Sequence, residues 1–387
     1  MPTISKLPAY CIAVTLLAML SPNAHAQIAV SANDNKVKLE DGKVNVQPNP
    51  PADTVTIINL GVSPPKVIAE LKAPSSVAGP PQNVAISPDG SIALVAASAK
   101  IDPNDPKKTT TDNKLTVIDL KANPPAITAT LDTGSGAMGV AFNPAGTLVL
   151  VANHGEGTLS IFTVAGGKLT AAGKIELGDA KSGPCAIAFL PDGKTALVTR
   201  DGDHRISVLA IDGDKVTDTK RVMTGGFRPY SIEVSPKGDI AAIGNQGANT
   251  GDIMPVNIVD LKGKAPRIVN TVNVGQYVES VAFSPDGNYL AVIPQNGSNI
   301  APTHPFYNDH GLVVVFSVKG TDLTKVAEAK IGKWPQGVAW SPDGKTLLAQ
   351  SMVDGALAVV SFDGKALKVT GEVKVGGGPE GLAISKR

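Results

Sequence analysis

Residues 281–294 read VAFSPDGNYLAVIP. Three apolar residues lead into Ser284-Pro285-Asp286-Gly287, where proline pre-sets φ for a tight turn and glycine takes the left-handed position without a Cβ clash. An alternating apolar strand leaves the turn. The pattern returns as VAISPDGSIALVAAS at 84–98, VAFNPAGTLVLVAN at 140–153, IAFLPDGKTALVTR at 187–200, IEVSPKGDIAAIGN at 232–245 and VAWSPDGKTLLAQS at 338–351, and it begins a seventh time as GLAIS at 381–385. The turn motifs start at 87, 143, 190, 235, 284 and 341, so successive copies lie 45 to 57 residues apart, the length of a propeller blade.

Each copy continues into a third apolar strand, such as LTVIDL at 115–120, TLSIFT at 158–163, VNIVDL at 256–261 and ALAVVSF at 356–362, and then a more polar fourth. Four strands make one antiparallel sheet with two apolar faces, which must stack on its neighbours. Six full copies and a C-terminal first strand leave one blade unfinished. IAVSAN at 28–33, TVTIINL at 54–60 and KVIAEL at 66–71 supply its other strands, so the chain ends close the ring and leave no sheet edge open. The expectation is an all-β, seven-bladed β-propeller occupying residues 27–387 as a single domain.

Composition agrees. The chain carries 40 Gly and 30 Pro, punctuation suited to many turns, and 42% hydrophobic residues, enough for a large core. With 35 Lys+Arg against 34 Asp+Glu it has no basic coat for nucleic acid. Residues 1–26 hold Lys6, an apolar run from Cys11 to Leu20 and the ending Ala24-His25-Ala26, the order of a Sec-type signal peptide cleaved after Ala26. A periplasmic or secreted protein with no membrane span is expected. Cys185 is then the one cysteine left, so no intrachain disulfide can form.

The copies, above all FNPAGTLVLVANHGEGTLSIFTV at 142–164, resemble the YVTN-type repeat of bacterial seven-bladed propellers, which are related to the lactonase-like propellers. That resemblance implies the fold and admits lactone hydrolysis among several functions. Lactonase-like propellers carry a Pro-Arg-His segment before a first strand. The matching stretches here read Arg228-Pro229-Tyr230, Gly183-Pro184-Cys185 and Gly378-Pro379-Glu380, so the order and the histidine are not kept.

On a propeller, the segments entering the first strands and the loops between second and third strands share one face around the channel, where binding residues are expected. The former supply an inner ring: Gln82-Asn83, Met138, Cys185, Arg228-Pro229-Tyr230, Tyr277-Val278-Glu279, Trp334-Pro335-Gln336 and Pro379-Glu380. Arg228 with Glu279 and Glu380 could recognise a polar or anionic ligand, with Tyr230, Tyr277, Trp334 and Gln336 beside them. Cys185 reads as a small buried filler, because a catalytic thiolate needs an activating charge. The second-to-third loops hold His154, His204, His304 and His310, which could bind a divalent metal if they converge. The two longest of these loops are 99–113 and 294–311.

Three readings follow. The first is a binding or interaction scaffold that presents its loop face to a small molecule or protein. The second is a lactone or ester hydrolase in which Arg228 polarises the carbonyl and Glu279 or a histidine activates water. The third is a metal-binding protein using the loop histidines. Nucleic acid, touched by Arg200, Arg205, Arg228 and Lys333, is disfavoured by the balanced charge and few aromatics.

Overall fold

The computed structural model describes residues 27–385, so the signal-peptide reading of residues 1–26 lies outside the described residues. Seven four-stranded antiparallel sheets form a closed ring. Blades 1 to 6 begin with the inner strands Val84–Ile86, Ala137–Phe142, Pro184–Phe189, Pro229–Val234, Val278–Phe283 and Pro335–Trp340. The closing blade is made from both chain ends, in the order Gly378–Ile384, Ile28–Asp34, Thr54–Asn59, Lys66–Lys72. Ala29 pairs with Ile384 and with Ile58. The Ile28 and Ser385 backbones also bond at 2.8 Å, which latches the two ends together.

The repeated turn forms as its sequence dictates. In blade 5, the Gly287 amide donates to the Ser284 carbonyl at 2.8 Å with Gly287 at φ 65°. Ser284 Oγ accepts the Tyr289 amide at 2.9 Å and donates to Asp286 at 2.6 Å, which ties turn to strand. Where blade 2 has Asn143 in place of serine, its side-chain oxygen takes the Thr147 and Leu148 amides at 2.8 and 3.0 Å, so the substitution keeps the function of the hydroxyl.

Because each sheet is apolar on both faces, burial is distributed between blades. Leu148, Leu150 and Leu159 of blade 2 meet Ile187 and Val198 of blade 3, and a comparable cluster fills each of the seven blade-to-blade interfaces. No blade has a complete core without its neighbours.

Two segments depart from expectation. Residues 99–113 are not an irregular loop. Strands Ile92–Asp102 and Asp105–Asp119 run through them as a hairpin, with Ala99 opposite Thr111 and Ile101 opposite Thr109, because the β-branched run Thr109–Thr111 favours an extended backbone. Between the first and second strands of the closing blade's N-terminal part, Val37–Glu40 and Lys43–Val46 form a further hairpin that leans against the blade 1 hairpin. Its tip, Asp41-Gly42, has φ of 47° and 74°, and a Cβ on Gly42 would collide with the Ile300–Ala301 backbone. The hairpin is therefore seated on the 294–311 loop, across the channel mouth.

Candidate functional site

The rim is built by one backbone device repeated around the ring. The residue before the first strand is left-handed in five consecutive blades: Gly136, Gly183, Arg228, Tyr277 and Trp334. Its carbonyl accepts the amide of the residue that follows the second strand: His154, Asp201, Gln246, Gln295 and Met352, at 2.9 to 3.2 Å. Glycine adopts this conformation freely. In blades 4 to 6 large side chains adopt it instead, at φ 57°, 54° and 50°, at a cost of about 1 kcal/mol each. That strain is concentrated where three large side chains are aimed at the channel mouth.

Asp201 organises the first centre. Its Oδ1 is 2.8 Å from His154 Nε2, and its Oδ2 accepts from Arg228 Nη2 at 3.0 Å. Gly183 makes room for the pair, since a Cβ there would press on His154 Nε2, Asp201 Oδ1 and the Gly202 amide. Burial alone would raise the Asp201 carboxyl, but His154 and Arg228 outweigh it and hold it below its ordinary value. Asp201 is thus an anion that can only accept, so His154 donates Nε2–H to it and Nδ1 is the nitrogen left to face solvent. Burial works against the Arg228 charge, yet Tyr277 and Asp201 more than compensate and the guanidinium stays charged. The side chains of His154 and Arg228 are each about one third exposed, so both reach solvent while their carboxylate does not. Cys185 lies beneath them, fully buried, with its thiol pushed well up by burial. It is the inert filler its surroundings suggest.

A second centre adjoins the first at Arg228. A cavity of about 170 Å³ is lined by Tyr230, Tyr277, Glu279, Gln246, Gln295 and Asn299, with Leu39, Gly42 and Val44 of the hairpin forming its roof. Glu279 is 2% exposed. Burial pushes its carboxyl up to about 8, although Gln246 Nε2 and Gln295 Nε2 donate to Oε2 at 3.1 and 2.8 Å. Burial likewise pushes the Tyr277 hydroxyl up to about 12. Elsewhere in the ring, Gln82 of blade 1 reaches Ile232 of blade 4, accepting its amide at 3.0 Å and donating to its carbonyl at 2.5 Å.

The family model for the seven-bladed β-propeller lactonases matches residues 120–281, a stretch that contains His154, Asp201, Arg228 and Glu279. Over that stretch the chain is similar to the lactonase-like seven-bladed propellers, and its fold is a seven-bladed propeller. Its solved structural neighbours include the Pseudomonas aeruginosa periplasmic gluconolactonase PpgL, at 16% identity and a TM-score of 0.66 over 93% of this chain and 99% of that one. A functionally unknown protein from Desulfotomaculum acetoxidans aligns at 16% identity and a TM-score of 0.69, over 93% and 99% of the two chains. Kuenenia stuttgartiensis hydrazine synthase aligns at 20% and 0.58, over 75% and 79%. At these identities the neighbours share the fold. No curated protein matches the sequence.

In this propeller the residues expected to act together divide into separate groups. Arg228 and Glu279 are close enough that the guanidinium lowers the acid's pKa. Glu380 belongs elsewhere: it accepts from Ser75, the Ser76 amide and Asn83, and its electrostatic neighbours are Asp34 and Lys36. Lys36 in turn donates to Asp53 at 2.6 Å and to the Ser75 carbonyl at 2.5 Å, so this group anchors the base of the hairpin. Trp334 packs with Val37 and Met352 under the same hairpin, and Gln336 lines the cavity.

The four histidines do not form one cluster. Among the described residues, His154 is grouped with Cys185 and Asp201, ligand atoms within 4.8 Å of one another, and the other three histidines are not in that group. His204 lies against Phe227, ring centroids 4.4 Å apart, and its Nδ1 takes the Arg228 amide at 3.3 Å. His304 takes the Phe306 amide, and His310 pairs with Asp309 at 2.7 Å. Of the basic residues weighed for nucleic acid, Arg200 is buried against Asp203 and Ser207, and Lys333 donates to the Tyr307 hydroxyl at 3.0 Å. Sequence reasoning missed Asp201 as the organiser. Its signal lay in the repeat: it occupies the blade 3 position equivalent to His154 in blade 2, so neighbouring blades bring the two side by side.

Proposed function

We propose that this propeller hydrolyses a lactone or similar cyclic ester at the Asp201 centre. One observation carries the reading: a single buried carboxylate holds an imidazole on one oxygen and a guanidinium on the other, with both groups open to solvent at the channel rim. The family match and the gluconolactonase among the neighbours favour this over a plain binding scaffold. The base falls to His154 and not to Glu279, whose buried carboxyl keeps its proton near neutrality.

His154 Nδ1 takes a proton from water as the water oxygen bonds to the lactone carbonyl carbon. Negative charge gathers on the carbonyl oxygen, where N–H groups of Arg228 not used by Asp201 can bind it. Collapse breaks the ring C–O bond, and the His154 proton passes to the leaving oxygen to give the open hydroxy acid. Asp201 fixes the imidazole tautomer and steadies its transient charge.

The test is ring opening of a panel of γ- and δ-lactones, followed by acid release. Turnover by the wild type that falls about 100-fold or more in both His154→Ala and Arg228→Ala is expected. A wild type that binds lactones without opening any of them would return the protein to the scaffold reading. We further propose that the protein is exported with loss of residues 1–26. N-terminal sequencing of the exported form should begin at Gln27, and an intact Met1 would oppose it.

A further inference from the structure

We propose that the roofed cavity beside Arg228 is a binding site for a hard, oxygen-seeking metal ion of the calcium class, held by Glu279, Gln246, Gln295 and Asn299. The inference is independent of the hydrolytic reading, because it concerns different side chains. All four residues are more than nine-tenths buried, at 2%, 2%, 1% and 7% exposure. Three of them are amides with their nitrogens already used. Gln246 and Gln295 donate to Glu279 Oε2, and Asn299 Nδ2 donates to Asn249 Oδ1 at 3.1 Å. Their oxygens, Gln246 Oε1, Gln295 Oε1 and Asn299 Oδ1, are buried and have no donor. The nitrogens of Gln246 and Gln295 both face Glu279 Oε2 and that of Asn299 faces Asn249 Oδ1, which leaves the three amide oxygens without a donor.

Three orphaned oxygens and a buried carboxyl lining one cavity call for a positive partner. None of the protein's own cations fills the role, since Lys36 is committed to Asp53 and Arg228 to Asp201. Among the described lining residues there is no histidine or cysteine, which argues against zinc or copper. Amide and carboxylate oxygens in a flexible set suit calcium, which takes six to eight of them. Magnesium demands stricter geometry and keeps its waters. The cavity volume of about 170 Å³ leaves space for an ion and several waters completing its shell. Leu39, Gly42 and Val44 of the hairpin line its outer side.

The experiment is isothermal titration and thermal melting of the full mature chain after chelator treatment, with calcium, magnesium, sodium and zinc chlorides and the neutral polyol glucitol as separate probes. Calcium should bind one to one and raise the melting temperature. Glu279→Gln and Asn299→Leu should each weaken binding about tenfold or more, the second guarding against a misfolded first. His154→Ala should bind calcium as the wild type does, even where it abolishes lactone opening, so the two readings can fail separately. The proposal is overturned if no cation binds up to about 10 mM, well beyond the weak end of about 1 mM for calcium modules. It is also overturned if calcium binding is unchanged in both variants, or if glucitol shifts the melt and the ions do not. Calcium binding lost in His154→Ala would place the ion at His154, Cys185 and Asp201 and overturn it as well.

Discussion

Arg228, Tyr277 and Trp334 occupy a backbone conformation that the same repeat fills with Gly136 and Gly183 in blades 2 and 3. Ordinarily alanine is the more stable replacement, since glycine adds freedom to the unfolded chain. At a left-handed position the order reverses. Arg228→Gly should be more stable than Arg228→Ala by about 1 kcal/mol in denaturant unfolding, while both lose activity. An alanine variant as stable as the glycine variant would remove the strain argument. The rim acids make opposite contributions to pH dependence. Burial raises Glu380 to about 8, so the folded state holds its proton more tightly than the unfolded chain does. Its contribution is fully present below the unfolded value near 4.5 and declines as pH rises through about 8. Asp201, held low, acts in the other sense and loses its contribution as pH falls through its lowered value. Glu380→Gln should therefore flatten the stability profile between about pH 5 and 8, measured by chemical denaturation at fixed ionic strength. A profile unchanged by the substitution would contradict the burial assignment. Arg228 and Glu279 were legible in the sequence as inner-ring residues. The separation of Glu380 was not, because channel-mouth positions look alike until the ring fixes which blades face one another.

At the scale of elements, the hairpin from Val37 to Val46 is the feature that repeat counting overlooked. Its local signal was present: VKLE and KVNV alternate on either side of Asp41-Gly42, a two-residue turn with positive φ at both positions. A search for blade-length periods passes over an insertion that occurs once. Its base is tied by Lys36, Asp53 and Asp34, and its tip rests on Ile300–Ala301. Gly42→Val should lift the tip without disturbing the blades. Hydrogen exchange should then quicken in residues 37–46 and 298–302 while the strands Val278–Phe283 and Tyr289–Pro294 keep their protection. Uniform quickening across blade 5 would mean that the hairpin supports the blade and is more than a roof. The 99–113 segment was missed for a related reason: its lysines and threonines read as a polar loop, yet cross-strand pairing extends the hairpin through them.

For the whole molecule, the repeat spacing was enough to give blade number and closure, since a sheet with two apolar faces has few alternatives to a ring. Closure depends on Ile28–Asp34 lying between Gly378–Ile384 and Thr54–Asn59. Deleting residues 27–60 should expose two strand edges, separate the Ala29, Leu348 and Leu382 cluster, and lower the melting temperature by about 10 °C or more. Function was less legible, because the ring places side chains from blades 2 and 4 on one carboxylate of blade 3 although the three are distant in sequence. The most direct measurement of that arrangement is kcat/KM for lactone opening by Asp201→Asn, a change that keeps shape but removes the charge orienting His154 and Arg228. A fall of about 100-fold or more, with the melting curve of a folded ring retained, is the predicted result. Wild-type kcat/KM in a folded Asp201→Asn protein would contradict the account.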